Sequence, residues 1–340
     1  IWVTGMHLHE KYGYTVNEIQ NDFPDLEIIK FQNFKESESH DLILSNTLTG
    51  FKTYLDEYRP DLIIVHGDRV EALGATISGA FNNVLTGHIE GGELSGTIDE
   101  SLRHATSKLA NIHFVSNQQS KNRLIQLGED INSIFIIGSP DLDIMNSESL
   151  PSLREVKLKY NISFNEYGII MFHPVTTDWE NFSVYTRNLM TAVKQSNRNF
   201  VIIFPNNDKG SSLIFNEYER YYQDNQFKFI PSMRFEFFLR LLKETQVLIG
   251  NSSAGIREAP AYGVPVINVG NRQYRRSTNR AIINTDYEME SIKNALEHSI
   301  VPVQSSKEFG DGKSDLLFYK ILMEKRFWDT PLQKSFIDIN

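Results

Sequence analysis

Apolar and polar positions alternate along this chain in two registers. Short runs of aliphatic residues, four or five long, are separated by stretches in which apolar side chains recur every three or four positions. In the first half the runs Ile1 to Thr4, Leu62 to His66, Val84 to His88, Ile112 to Val115 and Ile134 to Ile137 read as strands. In the second half the same reading applies to Gly168 to Phe172, Phe200 to Phe204, Val247 to Ile249 and Pro265 to Val269. Continuous aliphatic runs of this kind suit strands covered on both faces, as in parallel sheets. Between them, Asp41 to Tyr58 carries Leu42, Leu44, Leu48, Phe51 and Leu55 near the helical period, and Arg59-Pro60 stops it. A second helix is expected over Glu100 to Leu109. Strands alternating with helices predict an α/β fold of two doubly wound, Rossmann-like domains facing across a cleft.

The division is expected at the polar stretch Asn146 to Leu153. It gives a first domain over 1–150, a second over 151–305 and a C-terminal helical segment over 306–340 that returns toward the first. A chain of 340 residues with 40% hydrophobic content can build two cores. Cysteine is absent, which excludes disulfides, thiolate metal sites and a cysteine nucleophile, and suits a reducing cytoplasm. No signal peptide is visible and no apolar run approaches the length of a membrane span. A net charge of −9 argues against a nucleic-acid surface, because polyanions require a basic face. A small anionic ligand held by a few local arginines fits the composition better.

Candidate chemistry gathers where strands end. His66, Gly67, Asp68 and Arg69 follow the run Leu62 to Val65; His88, Ile89, Glu90, Gly91, Gly92 and Glu93 close the next. Ligands of doubly wound sheets sit beyond the carboxyl ends of strands, so Asp68, Glu90 and Asp99 are expected to converge there. Taken alone, Asp99 reads better as the cap of the helix that begins at Glu100. Carboxylates crowded into one cleft perturb one another's pKa values, which favours a functional reading for the set.

In the second half, Asn251, Ser252, Ser253, Ala254 and Gly255 form a small-residue turn before an expected helix. Hydroxyls and backbone N–H groups at a helix start favour phosphate oxygens. Arg272, Arg275 and Arg276 strengthen that reading, although Ser252 could be a plain cap. Glu258 could accept hydrogen bonds from a ribose. His173 ends a strand, where a structural role is the commoner one. GDGKS at 310–314 ends like a phosphate-binding loop, but Lys307 stands where its first glycine would be, so a turn and helix start is expected. No His/Asp/Glu set has clear metal-ligand spacing.

HGDR at 66–69, HIEGGELSGTIDESLRH at 88–104, HPVTTD at 173–178, PNND at 205–208 followed by GSS, and GNSSAGIREAP at 250–260 together resemble the hydrolysing UDP-N-acetylglucosamine 2-epimerases. The segment GGELSGTIDES is the specific one; the non-hydrolysing branch differs after its His-x-Glu. The resemblance implies the two-domain GT-B fold, with FGDGKSDLLFYKIL similar to the family's final helix. It implies conversion of UDP-GlcNAc and water to N-acetylmannosamine and UDP, the first step of sialic acid synthesis, with no cofactor. Elimination gives a 2-acetamidoglycal, and rehydration inverts C2. Asp68, Glu90 and Asp99 match the catalytic carboxylates, and His173 matches a histidine at the diphosphate end. Arg69, Asn206, Ser252, Ser253, Glu258 and Arg272 match nucleotide contacts, and His7 matches a residue near the sugar.

The resemblance further implies a cytoplasmic homodimer or homotetramer acting on a UDP-sugar, with neither a nucleic-acid nor a membrane partner. It also implies a strand, a loop with an Arg-Ala-Asp sequence and a helix ahead of the segment matched by Ile1 to Thr4, so an incomplete sequence is expected. Three alternatives remain. A paralogue acting on UDP-2,4-diacetamido-2,4,6-trideoxyglucose in legionaminic acid synthesis would carry the same motifs. A glycosyltransferase of the same fold would need an acceptor. A silent UDP-sugar sensor would carry a broken carboxylate set, whereas all three carboxylates are present.

Overall fold

The computed structural model describes all residues except 11, 12, 35–38, 96, 97, 148, 176, 206–208, 274, 275, 278, 300–302, 339 and 340. Contacts divide the chain into two compact units. One comprises Ile1–Glu93, Ile98–Ile136 and Tyr319–Asn340, the other Leu94–Thr97 and Ile137–Phe318. The main break thus falls after Ile136 rather than near 150. The reason is packing: Leu142 and Met145 of the helix Asp141–Met145 are buried with Val156, Ile169 and Leu239 of the second unit. A polar stretch marks exposure, and here it lies beyond the helix that already belongs to the next core.

The second unit is built on one six-stranded parallel sheet: β7 (Gly168–Met171), β8 (Phe200–Ile203), β9 (Phe227–Ile230), β10 (Leu248–Gly250), β11 (Val266–Val269) and β12 (Ile282–Thr285). Their spatial order is β12-β11-β10-β7-β8-β9. The chain therefore runs outward from β7 to one edge, returns to lie beside β7 as β10, and runs outward to the other edge. β7 and β10 flank the switch point, where doubly wound folds bind ligands. Alternate side chains sort onto two faces. Ile169, Val201, Leu248 and Val266 pack on one side with the helix Phe235–Lys243; Ile170, Ile202, Ile249 and Ile267 pack on the other with the helices Phe182–Gln195 and Met289–His298. Strands β9 and β12 are absent from the expected set. As edge strands, with Lys228 in FKFI and Asn284 in IINT, they interrupt the aliphatic run that marks a central strand.

The first unit carries a four-stranded parallel sheet in sequence order: β3 (Leu62–His66), β4 (Leu85–Ile89), β5 (Ile112–Val115) and β6 (Ile134–Ile136). A separate parallel pair joins β1 (Trp2–Val3) to β2 (Ile29–Lys30). β3 departs from the expected all-buried strand. Ile63 and Val65 are buried while Ile64 is 38% exposed, because β3 is the outer strand of its sheet. Of the C-terminal segment, Tyr319–Asn340 belongs to this unit, and the part before it to the other. Phe327 packs on Phe114, Asn111 Nδ2 donates to the Pro331 and Leu332 carbonyls, and Lys334 pairs with buried Glu129, which also holds His113 at 3.0 Å. Burial alone would raise the Glu129 carboxyl, but the His113 hydrogen bond and Lys334 hold it down at about 2. GDGKS forms the expected turn and helix start: Ser314 opens the helix Ser314–Leu322, its N–H and hydroxyl both donating to Asp143.

Candidate active site

The end of β3 becomes a sharp turn. Gly67 takes φ +76°, a left-handed backbone that glycine adopts without a Cβ penalty, and its N–H donates to the Ile89 carbonyl at 3.0 Å. Asp68 and Arg69 then lead into the helix Val70–Phe81. β4 ends with a rarer feature. Glu90 is not glycine yet has φ +63°, while its N–H still donates to the Phe114 carbonyl at 2.8 Å. Such backbone costs about 1–2 kcal/mol and persists where surroundings over-determine it.

Here the surroundings are a buried arginine. Arg103, in the helix Ile98–Leu109, donates one guanidinium nitrogen to the Glu90 carbonyl at 2.6 Å and another to the Asp68 carboxylate. The Asp68–Arg103 ion pair is mostly out of water, with side-chain exposures of 26% and 4%. On the other side, the Glu90 carboxylate, 4% exposed, meets His66 Nε2 at 3.2 Å. Asp99 stands one helical turn before Arg103, and Ser107 one turn after it. Spacing of four puts all three on one helix face. The helix begins at Ile98, so Asp99 lies inside its first turn and is not the cap expected of a helix starting at Glu100.

Ser107 supports a second contact. His88 is fully buried; its Nε2 donates to the Gly67 carbonyl at 2.7 Å, and its Nδ1 accepts from the Ser107 hydroxyl at 2.9 Å. Since a carbonyl only accepts, the proton sits on Nε2. Burial, chiefly, pushes this imidazole down to about 3, so it is neutral at physiological pH. The structure thus brings the Asp68 carboxylate and the Glu90 backbone carbonyl onto one guanidinium and puts Asp99 on the same helix as that guanidinium. Arg103, His66 and Ser107 were not assigned from sequence, although the spacing Asp99, Arg103, Ser107 was legible.

The other first-unit candidates lie further out. Arg69 is exposed and its Nε is 3.6 Å from Glu71. His7 is exposed in a short 3-10 turn, Gly5–Leu8, with Nδ1 2.7 Å from the Thr15 hydroxyl. Among the described residues no group of three or more His, Asp or Glu side chains is arranged to hold a metal.

In the second unit the candidates stand at the switch point. His173 follows β7, and Ser252 and Ser253 follow β10. The expected small-residue turn is a three-residue 3-10 turn, Ser253–Gly255, and the helix after it is only four residues long, Glu258–Ala261. Helices this short add little dipole, so any anion held here relies on hydroxyls, N–H groups and cations. Ser252 is the cap of the turn, its Oγ accepting from the Ala254 N–H at 3.3 Å, while Ser253 is exposed. Glu258 is buried, at 6% exposure. Arg272 Nη1 donates to the Asn251 carbonyl at 3.1 Å, and Arg276 donates to Gln273 at 2.7 Å. Asn206 and Arg275 fall outside the described residues.

Comparison with known proteins shows the family and the fold. Residues 1–323 match the family model described as UDP-N-acetylglucosamine 2-epimerase. The chain is 44% identical over 343 residues to the UDP-N-acetylglucosamine 2-epimerase of Neisseria meningitidis serogroup B, covering 99% of this chain and 90% of that protein. It is 33% identical over 342 residues to the UDP-N,N'-diacetylbacillosamine 2-epimerase (hydrolyzing) of Legionella pneumophila, covering 95% and 87%. Among solved structures, the Neisseria meningitidis UDP-GlcNAc 2-epimerase bound to UDP-GlcNAc superposes with a TM-score of 0.76 at 17% identity, covering 92% of this chain and 89% of that one. The Methanocaldococcus jannaschii enzyme in complex with UDP-GlcNAc and UDP gives 0.76 at 19% identity, covering 90% and 87%. These structures share the fold, two Rossmann-like units of the GT-B type. Since the family model matches residues 1–323, nearly the whole of this sequence, the chain belongs to the UDP-N-acetylglucosamine 2-epimerase family.

Proposed function

We propose that this protein is a hydrolysing UDP-GlcNAc 2-epimerase, forming N-acetylmannosamine and UDP from UDP-GlcNAc and water. The observation that carries the reading is the link made by Arg103 between Asp68 and Glu90, with Asp99 one turn away on its helix. In the first step a carboxylate takes the C2 proton. The C2–H electron pair becomes the C1–C2 double bond, and the C1–O pair leaves with UDP. In the second step water gives its hydroxyl to C1, and a proton reaches C2 from the opposite face. Such chemistry requires a base, an acid and a group that handles water, and three carboxyl groups can divide those tasks. Which of them takes the C2 proton is left open.

We assign the proton chemistry to the first unit, with His7 near the sugar, and nucleotide binding chiefly to the second, with Arg69 of the first unit added. His173 and Arg272 would face the diphosphate, with hydroxyl contacts from Ser252 and Ser253. Glu258 would receive the ribose, and Arg69 and Asn206 complete the set by resemblance. No helix among the described residues is long and apolar enough to cross a membrane. A cytoplasmic homo-oligomer feeding sialic acid synthesis fits the family. The hydrolysing reading rests on the segment GGELSGTIDES and on the Legionella relative, whose name carries the hydrolytic reaction.

That relative also supports a second reading, with UDP-2,4-diacetamido-2,4,6-trideoxyglucose as substrate. The test is to incubate the protein with each nucleotide in deuterated water and follow products by NMR. Free N-acetylmannosamine with deuterium at C2, alongside UDP, is expected from UDP-GlcNAc. UDP released from the trideoxy sugar alone would overturn the first reading, and accumulation of a UDP-mannosamine would overturn hydrolysis. UDP formed in water without any acceptor excludes a glycosyltransferase. Asp99→Asn should abolish sugar release while UDP binding persists; an equal fall in both would make Asp99 structural.

A further inference from the structure

We infer that Asn251 is a positioning residue that bridges the switch point of the second sheet and sets where His173 and Arg272 stand. The inference rests on the assignment of those two side chains to the diphosphate. At the switch point β7 and β10 are neighbours whose following loops diverge, and the ladder between them stops where the crevice begins. Gly250, the last residue of β10, has φ +135°, and a Cβ there would lie 1.9 Å from the Met171 carbonyl oxygen. Only glycine lets the two backbones approach so closely. The next N–H, that of Asn251, still donates to Met171 O at 3.1 Å.

Beyond that point the side chain takes over from the main chain. Asn251 Oδ1 accepts from the His173 N–H at 2.7 Å, and Asn251 Nδ2 donates to the His173 carbonyl at 2.8 Å. A carboxamide offers the same acceptor and donor as a peptide group, so this reciprocal pair continues the ladder across the mouth of the crevice. The Asn251 carbonyl meanwhile accepts from Gln273 Nε2 at 2.9 Å and Arg272 Nη1 at 3.1 Å. One fully buried residue therefore fixes the backbone of His173 and orients Arg272. The side chain must also be uncharged and bifunctional. Aspartate keeps the acceptor but turns an oxygen toward the His173 carbonyl and adds negative charge beside an expected anion. Serine or alanine cannot make both bonds, and glutamine is one methylene longer.

The test compares UDP with uridine as ligands, by calorimetry or saturation-transfer NMR, in the full chain and in Asn251→Asp, Asn251→Ser, His173→Ala and Arg272→Ala. A positioning role predicts that the ratio of UDP to uridine affinity falls about tenfold in Asn251→Asp and Asn251→Ser, with uridine binding retained. Both His173→Ala and Arg272→Ala should lower the same ratio. Parallel weakening of both ligands in the Asn251 variants would make the residue merely structural and overturn the inference. An unchanged ratio in those variants, while His173→Ala and Arg272→Ala lower it, overturns the bridge alone. An unchanged ratio in all four overturns the diphosphate assignment and the inference with it. Should a variant fold poorly, hydrogen exchange at the His173 amide decides. That proton should exchange faster in Asn251→Ser than in Asn251→Asp, which keeps the acceptor, and equal rates would refute the bridge.

Discussion

The ends of β3 and β4 in the first unit and the ends of β7 and β10 in the second solve the same geometric problem with opposite chemistry. Both hold a turn against a neighbouring strand. The first does so with charge: Arg103 reaches the Asp68 carboxylate and the Glu90 carbonyl, and His66 meets the Glu90 carboxylate. The second does so chiefly with neutral amides, Asn251 bonding His173 and Gln273 bonding Asn251, beside the Arg272 guanidinium. Burying a charge is costly unless it is partnered, and Arg103 partners Asp68. A site proposed to admit an anion is better framed by groups that carry no negative charge. His88 shows the limit of the contrast, since it is an ionisable ring used in the first unit as a neutral spacer.

The largest test of this division is removal of the carboxylates. Asp68→Asn or Glu90→Gln should lower kcat by about 10²–10⁴-fold, the range for general acid–base groups, while UDP affinity measured by calorimetry stays nearly constant. A matching loss of UDP affinity would break the comparison. Next comes the arginine. Arg103→Met leaves Asp68 without its cation and should destabilise the protein by about 3 kcal/mol, the low end for a broken buried pair, because Asp68 keeps 26% exposure. Urea unfolding measures it, and a loss confined to activity would mean that Arg103 does not hold the fold. Ser253→Ala should weaken UDP binding by about 1.5 kcal/mol, the value for one hydrogen bond to a charged group. It should leave turnover at saturating substrate unchanged, and a fall in kcat instead would move Ser253 to the other side of the division.

A separate effect is a pH slope. His88 has its usual pKa of 6.5 when unfolded and about 3 when folded. Above 6.5 the ring is neutral in both states and its contribution to stability is complete. As pH falls from 6.5 toward 3, the unfolded chain takes up a proton that the folded one refuses, so stability declines. His113, also depressed by burial, acts in the same direction. His88→Gln, which can still donate to the Gly67 carbonyl, should flatten the dependence of melting temperature on pH between 6.5 and 4 without removing it. An unaltered slope would show that His88 is not the buried neutral ring described above.

Much of the fold was legible. Runs such as Ile112 to Val115 and Phe200 to Ile203 became central strands because a continuous aliphatic run has one economical solution, a strand covered on both faces. Edge strands β9 and β12 escaped because exposure relaxes that pattern. The site was half legible. Polar residues after strand runs marked Asp68, Glu90 and His173, but Arg103 and Asn251, which hold Asp68 and His173 in place, lie at sequence separations of 35 and 78 from them.

The sequence by itself determined the α/β alternation, the strand ends that carry polar groups, and the helical face shared by Asp99, Arg103 and Ser107, because each follows from local periodicity. Only the tertiary structure decided that Arg103 meets Asp68, that Glu90 turns left-handed, that the compact units part after Ile136, and that Asn251 bridges to His173. Those facts depend on which strands lie side by side, and strand neighbours are chosen by the burial of whole faces rather than by any local run of residues.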